Sequence, residues 1–332
     1  MTIEELRERQ HWTLTQKIDH SLGVIDQFAS HFGGMVFVSF SGGKDSCVML
    51  DLVRVIIPDV KCMFIMTGCE SPSVCRFVRQ KKSEGIDIDI IRPEKTLRQV
   101  FADCGFPLVS KEVSHDVQAC RRNPTCKSSL RKLDMNNPHG IPERWRYLLT
   151  EPYEVSDRCC FWLKKQPSHK YIKQTGRRPF LGLLADEGYT RQSAYVKRGG
   201  CNTFSETGKR YATSWPLAIW TNADVWQYIH DRHLPIPDIY DRGATRTGCL
   251  GCGFGAYKDK IPLDPLPRLW PKMYQAIMDY ENNGIRYGDA LAKSIERGHH
   301  RLQRKPKADQ PPADPTTDPQ PTPGASFYPD PP

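Results

Sequence analysis

The chain has 332 residues, 12 cysteines, 27 prolines, and 47 Lys and Arg against 38 Asp and Glu, a formal charge of +9. That length buries one large core or two modest ones, and the positive balance favours anionic partners: nucleotides, pyrophosphate or nucleic acid. No apolar run approaches the ~20 residues that cross a bilayer, and the charged opening MTIEELRERQHW has no signal-peptide centre, so a soluble, cytoplasmic protein without membrane contact is expected.

Residues 3–31 place Leu6, Trp12, Ile18, Leu22, Ile25 and Phe28 at helical spacing, predicting one amphipathic helix that ends near Gly33-Gly34. Met35 to Phe40 reads as a buried strand. A Ser/Gly turn and a helix from Asp45 to Ile57 follow. Lys61 to Met66 is the next strand, Ser71 to Glu84 a helix and Ile86 to Ile91 a third strand. Thr96 to Cys104 and Lys111 to Arg122 read as helices, and 123–141 as loop. Pro142 to Leu149 and Ser156 to Thr175 look helical, and Pro179 to Leu184 is a strand. The apolar stretch Ser214 to Trp220 precedes a helix with Thr221 as N-cap and Asp224 three residues on. A Gly/Cys-rich loop at 243–255 and a helix near 266–284 complete the folded part. The tail Lys305 to Pro332 has almost nothing apolar to bury and is predicted to be disordered.

Alternating helices and continuous apolar strands predict an α/β fold with a doubly wound, mainly parallel sheet. The second half is helical and bears cysteines. The expected division is an N-terminal helix to residue 30, a main domain over 31–256, a helical extension over 257–304 and the tail from 305.

The string VSFSGGKDSCVML, residues 37–49, carries the strongest chemical signal. A buried strand delivers the chain into a turn where Gly42 and Gly43 leave backbone N–H groups uncovered. The next helix points its positive end at the same spot, which makes an anion nest. Ser41 and Ser46 add hydroxyls and Lys44 neutralises phosphate charge. Asp45 is out of place in a pure anion site unless it holds Mg²⁺ or caps the helix. The spacing excludes a Walker A loop, because residue 38 is Val and Asp45 follows the lysine.

SGGKDS after the first strand resembles the signature of the PP-loop ATP pyrophosphatases, with an adenine nucleotide α-hydrolase-like fold. Members bind ATP in this loop, adenylylate a substrate oxygen and release pyrophosphate. The wider sequence, from about residue 30 to 256, is similar to the phosphoadenosine phosphosulfate (PAPS) reductase-like branch. Thr67-Gly68-Cys69-Glu70-Ser71-Pro72 resembles the branch's second-strand motif, with Met66 where an Asp is usual. GFPLVSKEVS (105–114) and GLLADEGYTRQS (182–193) also look like segments of it. The resemblance implies nucleotide contacts from Ser39, Ser41, Gly42, Gly43, Lys44, Asp45, Ser46, Thr67 and Gly68, with Lys44, Asp45 and Arg191 as catalytic groups. Lys111, Asp186, Glu187 and Arg191 are the substrate candidates, Arg191 for a phosphate or sulfate.

Two cysteine pairs stand out: Cys159-Cys160 in SDRCCFWLKKQP and Cys249-x-x-Cys252 in RTGCLGCGFG. Adjacent cysteines suit a single tetrahedral ion poorly, because neighbouring side chains splay apart. They suit a [4Fe–4S] cube, where each thiolate takes a different iron. Assimilatory sulfonucleotide reductases carry a similar quartet with a basic pair after the first half, the place of Lys164-Lys165 here. Cys69, like most of the remaining thiols, is expected to pack, and so are Trp215, Trp220 and Trp226.

Three functions compete. One is an ATP-cleaving enzyme that, with the cluster, transfers sulfur to tRNA, DNA or a similar acceptor and draws on a sulfur-donor or reductant protein. Another is a sulfonucleotide reductase producing sulfite. The third is a non-catalytic nucleotide- and cluster-binding protein. Those reductases typically carry a nucleophilic cysteine in a C-terminal Glu-Cys-Gly segment, and this chain has no cysteine after Cys252. With the intact SGGKDS loop, that favours the first.

Overall fold

The structure, a computed structural model, describes residues 2–206, 211–258 and 265–300. The Pro-rich tail at 305–332 and the end of the extension predicted over 257–304 lie outside them.

The chain opens with two helices where one was expected, α1 (Ile3–Gln10) and α2 (Leu14–His31). Thr13 is the reason: its hydroxyl accepts from the Gln16 amide while the Gln16 side chain accepts from the Thr13 amide, so a capping box restarts the helix. Then follow β1 (Val36–Ser39), α3 (Lys44–Ile56), β2 (Cys62–Ile65), α4 (Pro72–Ser83), β3 (Ile88–Ile91), α5 (Leu97–Cys104) and α6 (Lys111–Arg122), close to expectation. Within the presumed loop at 123–141 stands a further helix, α7 (Lys127–Leu133). Its N-cap is Cys126, whose sulfur accepts from the Ser129 amide at 3.4 Å. A thiol is not among the residues that announce a helix start.

The segment after a 3₁₀ turn at Glu143–Leu149 is one continuous run: α8 (Arg158–Cys160), a π-helical turn (Phe161–Lys165) and α9 (Gln166–Thr175). β4 is shorter than predicted, Arg178–Phe180. α10 (Tyr189–Arg198) went unforeseen because it buries little beyond Tyr195 and so shows no apolar stripe. β5 (Asn202–Thr203) and β6 (Thr213–Ser214) are short, and α11 (Asn222–Asp231) starts with the expected Thr221/Asp224 capping box. The helix expected at 266–284 is instead α12 (Leu266–Leu269), α13 (Pro271–Met278) and a hairpin of β7 (Glu281–Asn282) and β8 (Ile285–Arg286). Pro271 disfavours helical geometry at Trp270, which splits the run. α14 (Tyr287–His300) ends the described part.

The main sheet has the order β3-β2-β1-β4-β6-β5, parallel except for β5 against β6. The chain winds outward from β1 to β3, then returns to β4 on the other side of β1. The α/β, doubly wound, mainly parallel class is therefore the observed one. Alternation along β1 sends Val36 and Val38 into the large core with Phe28, Val48 and Phe180. Phe37 faces the other layer, with Met63, Tyr171 and Ile172. Order reversal at β1 and β4 opens a crevice beyond their carboxyl ends, the usual ligand position of such sheets.

Candidate nucleotide and cysteine site

β1 ends at Ser39 and feeds the loop into that crevice. Gly42 has φ of 71°, and an added Cβ there would stand 2.8 Å from Val78 and 2.9 Å from Val74. The turn thus requires glycine twice over, for its backbone angle and for its closeness to α4. Gly43 is the N-cap of α3 and supplies no side chain to cover the helix end. Ser41 Oγ bonds Ser46 Oγ at 3.1 Å and accepts from the Gly43 amide at 3.3 Å, while Ser46 Oγ donates to the Gly43 carbonyl at 2.8 Å. Lys44 is buried, with Nζ 2.6 Å from Asp45 Oδ1.

Two residues that carry no sequence signal complete this loop. Tyr240 Oη accepts from the Lys44 amide at 2.9 Å, at the start of α3. Burial holds its phenol up at about 12, so it stays a neutral hydroxyl. Thr247 Oγ1 lies against Gly43 so closely that a Cβ there would clash. Trp226, expected in the core, is partly exposed, and Lys44 Nζ stands 6.0 Å from the centre of its ring.

Beside the loop opens a cavity of about 300 Å³, walled by Ser39, Ser41 and Thr67 of the predicted set and by Glu70, Lys164, Lys165, Ser168, His169 and Thr247. Thr67 is held by Glu70, which accepts from its amide at 3.0 Å and its hydroxyl at 2.6 Å. Gly68 also donates to Glu70 but is not part of the cavity wall.

The four predicted cysteines meet. Cys159, Cys160, Cys249 and Cys252 line one small, mostly apolar cavity, and Cys69 lines it too. α8 brings the first pair, and the π turn after it lets Lys164 reach the wall of both cavities. π turns are rare and concentrate at functional sites. Gly253 brings the second pair in close, because a Cβ there would clash with the Pro107 carbonyl. A hydrogen bond from Cys159 pulls the Cys160 thiol down to about 6, helped by Lys111, Lys164 and Lys165 and opposed by burial. The same bond holds Cys159 protonated, and charge on Cys249 raises Lys164. Among the described residues no three His, Cys, Asp or Glu side chains converge on a single-ion position. An all-sulfur set spread around a space fits a [4Fe–4S] cube by its donor chemistry.

The remaining candidates lie elsewhere. Lys111 opens α6 and acts electrostatically on Cys160, away from the nucleotide cavity. Asp186 accepts from the Asn222 amide at 2.9 Å, at the start of α11. Arg191 of α10 pairs at 2.9 Å with Glu187, in the 3₁₀ turn before it. None of these four walls the 300 Å³ cavity.

Comparison with known proteins identifies a family. A profile of the phosphoadenosine phosphosulfate reductase domain matches residues 35–138 and 127–253. An adenosine 5'-phosphosulfate reductase of Geobacillus kaustophilus is 24% identical over 251 residues, 75% of this chain and 85% of that enzyme. An uncharacterised protein of Methanocaldococcus jannaschii is 25% identical over 292 residues, 86% of this chain, which spans 50% of that protein's length. Among solved structures, the PAPS reductase of Candida auris in its phosphate complex aligns with a TM-score of 0.43 at 15% identity, over 69% of this chain and 87% of that one. The matched stretch holds the SGGKDS loop and all four paired cysteines, and the chain belongs to the phosphoadenosine phosphosulfate reductase domain family.

Proposed function

We propose that this chain binds ATP on the loop Ser41 to Ser46, cleaves it to AMP and pyrophosphate, and uses the activated acceptor in sulfur transfer. The observation that carries this reading is the pairing of buried Lys44 with half-buried Asp45 at the N-terminus of α3, where the N-cap Gly43 supplies no side chain, at the β1/β4 crevice. Ser41, Gly42, Gly43 and Ser46 hold the pyrophosphate, and Lys44 meets the charge that develops on it as the leaving group. Asp45, bonded to Lys44, would hold Mg²⁺. The neighbouring cavity receives the adenosine half, with Ser39 and Thr67 on its wall.

Cys159, Cys160, Cys249 and Cys252 would hold a [4Fe–4S] cluster. Bound there, it supplies a sulfur-binding or electron-carrying centre beside the nucleotide. Lys164 stands between the two. The acceptor is a nucleic acid such as tRNA or DNA, for which a charge of +9 is suited, and a further protein supplies sulfur or electrons.

A second reading rests on the likeness to an adenosine 5'-phosphosulfate reductase over 85% of that enzyme: reduction of a sulfonucleotide to sulfite. One anaerobic experiment separates them. The full chain is incubated with labelled ATP or with adenylylsulfate, each with a dithiol reductant and with tRNA and with DNA, while AMP, pyrophosphate and sulfite are followed. AMP and pyrophosphate from ATP support the first reading. Sulfite without ATP consumption replaces it with the second. Lys44→Ala is expected to lower pyrophosphate release by at least ~100-fold with bound iron unchanged; loss of both together would make the loop structural.

A further inference from the structure

The cysteine cavity holds one sulfur more than the paired motifs supply. Cys69, 1% exposed, packs in one cluster with Cys159, Cys249 and Leu163. Its position is fixed by backbone on both sides. Within its own turn, the Cys69 amide donates to Thr67 Oγ1 at 3.1 Å, and Glu70 ties Thr67 and Gly68 together. Across the cavity, the Leu250 amide donates to the Cys69 carbonyl at 2.8 Å, which pins this turn to the Cys249–Cys252 loop.

A [4Fe–4S] cluster takes four thiolates, one per iron. Five thiols around one space leave one to spare, and of the two paired cysteines that pack with Cys69, Cys249 is the one whose own loop is hydrogen-bonded to it, through the Leu250 amide. Cys249 is also the ligand joined to the nucleotide side: Thr247 and Gly248, immediately before it, wall the nucleotide cavity, and Thr247 touches the SGGKDS loop at Gly43.

We propose that Cys69 is a fifth cluster ligand that exchanges with Cys249. In the exchange the Cys69 sulfur bonds the iron that the Cys249 sulfur leaves. The proton of the Cys69 thiol passes to Cys249, and no electron moves. Cys249 is then a free thiol one residue from the nucleotide cavity, beside Lys164. The inference rests on the cluster reading above.

The test reads metal, not activity. The full chain and its variants are reconstituted anaerobically with ferrous iron and sulfide, and iron per chain and visible absorbance are measured. Wild type, Cys69→Ala and Cys249→Ala should each hold about four irons, whereas the Cys69→Ala/Cys249→Ala pair should fall to three or fewer. If Cys249→Ala alone loses as much iron as the pair, the exchange is overturned and the cluster reading stands. A wild-type chain without iron overturns both. Circular dichroism checks each variant; should Cys249→Ala not fold, Cys249→Ser with and without Cys69 gives the same contrast.

Discussion

Lys44 and His20 show how burial gives a single side chain its meaning. Lys44 was legible from SGGKDS alone, yet the sequence says nothing of Tyr240 taking its amide or Trp226 lying beside its ammonium. Those partners arrive from some 180 to 200 residues away, and no local pattern encodes them. His20 showed no pattern at all. In the fold, burial foremost, with the charge of Arg9 adding, lowers its pKa below the usual 6.5. The unfolded chain therefore binds a proton there that the folded chain resists. Stability from this group is flat above pH 6.5 and falls as pH drops below it, by at most about 1.4 kcal/mol per pH unit. Urea midpoints between pH 5 and 8 should show this fall in wild type and a flatter profile in His20→Gln. Parallel profiles would assign the acid sensitivity to other groups.

Helix starts were predictable at Thr96, Ser110 and Thr221, where a Ser or Thr cap stands before the first turn. They failed at Thr13, read as helix interior, and at Cys126, whose thiol cap has no place among the usual signals. How the helices meet was hidden. The side chain of Lys17 on α2 is 2% exposed, and its Nζ lies 2.6 Å from Asp224 of α11 and 2.7 Å from the carbonyl of Gln10, the last residue of α1. Three helices thus converge on one buried ammonium. Asp224 also closes the α11 capping box, so it serves two purposes with one carboxylate. Asp224→Ala leaves the ammonium without its counter-charge and is expected to cost about 3–5 kcal/mol, read as a lower denaturation midpoint. Adding Lys17→Met should recover part of the loss; no recovery would place the cost in the cap alone.

At the scale of the molecule, the two cavities share a wall. Lys164 lines both, and the segment from Thr247 to Cys252 runs from the nucleotide loop to the thiols. A change at Lys164 is therefore expected to register in both. Lys164→Gln should weaken ATP binding several-fold and shift the visible spectrum of the reconstituted cluster, whereas Lys44→Ala moves only the first. Isothermal titration with ATP and anaerobic absorbance on the same samples decide it. Unchanged ATP affinity in Lys164→Gln would separate the two cavities.

The strand–helix alternation, the nucleotide loop and the two cysteine pairs are properties of the sequence by itself. Each rests on local spacing: a period of two or of 3.6, two glycines before a lysine, or thiols one and three residues apart. Tertiary structure alone decided that Cys69 joins the four paired thiols and that Tyr240 and Thr247 cover the nucleotide loop. It also set Asp186, Glu187 and Arg191 against α11 and each other rather than on the cavity wall. The strand order β3-β2-β1-β4 explains the difference. It folds the Thr67 turn, the π turn after Cys160 and the 240–252 loop onto one crevice, and residues that far apart in the chain leave no periodic trace of their meeting.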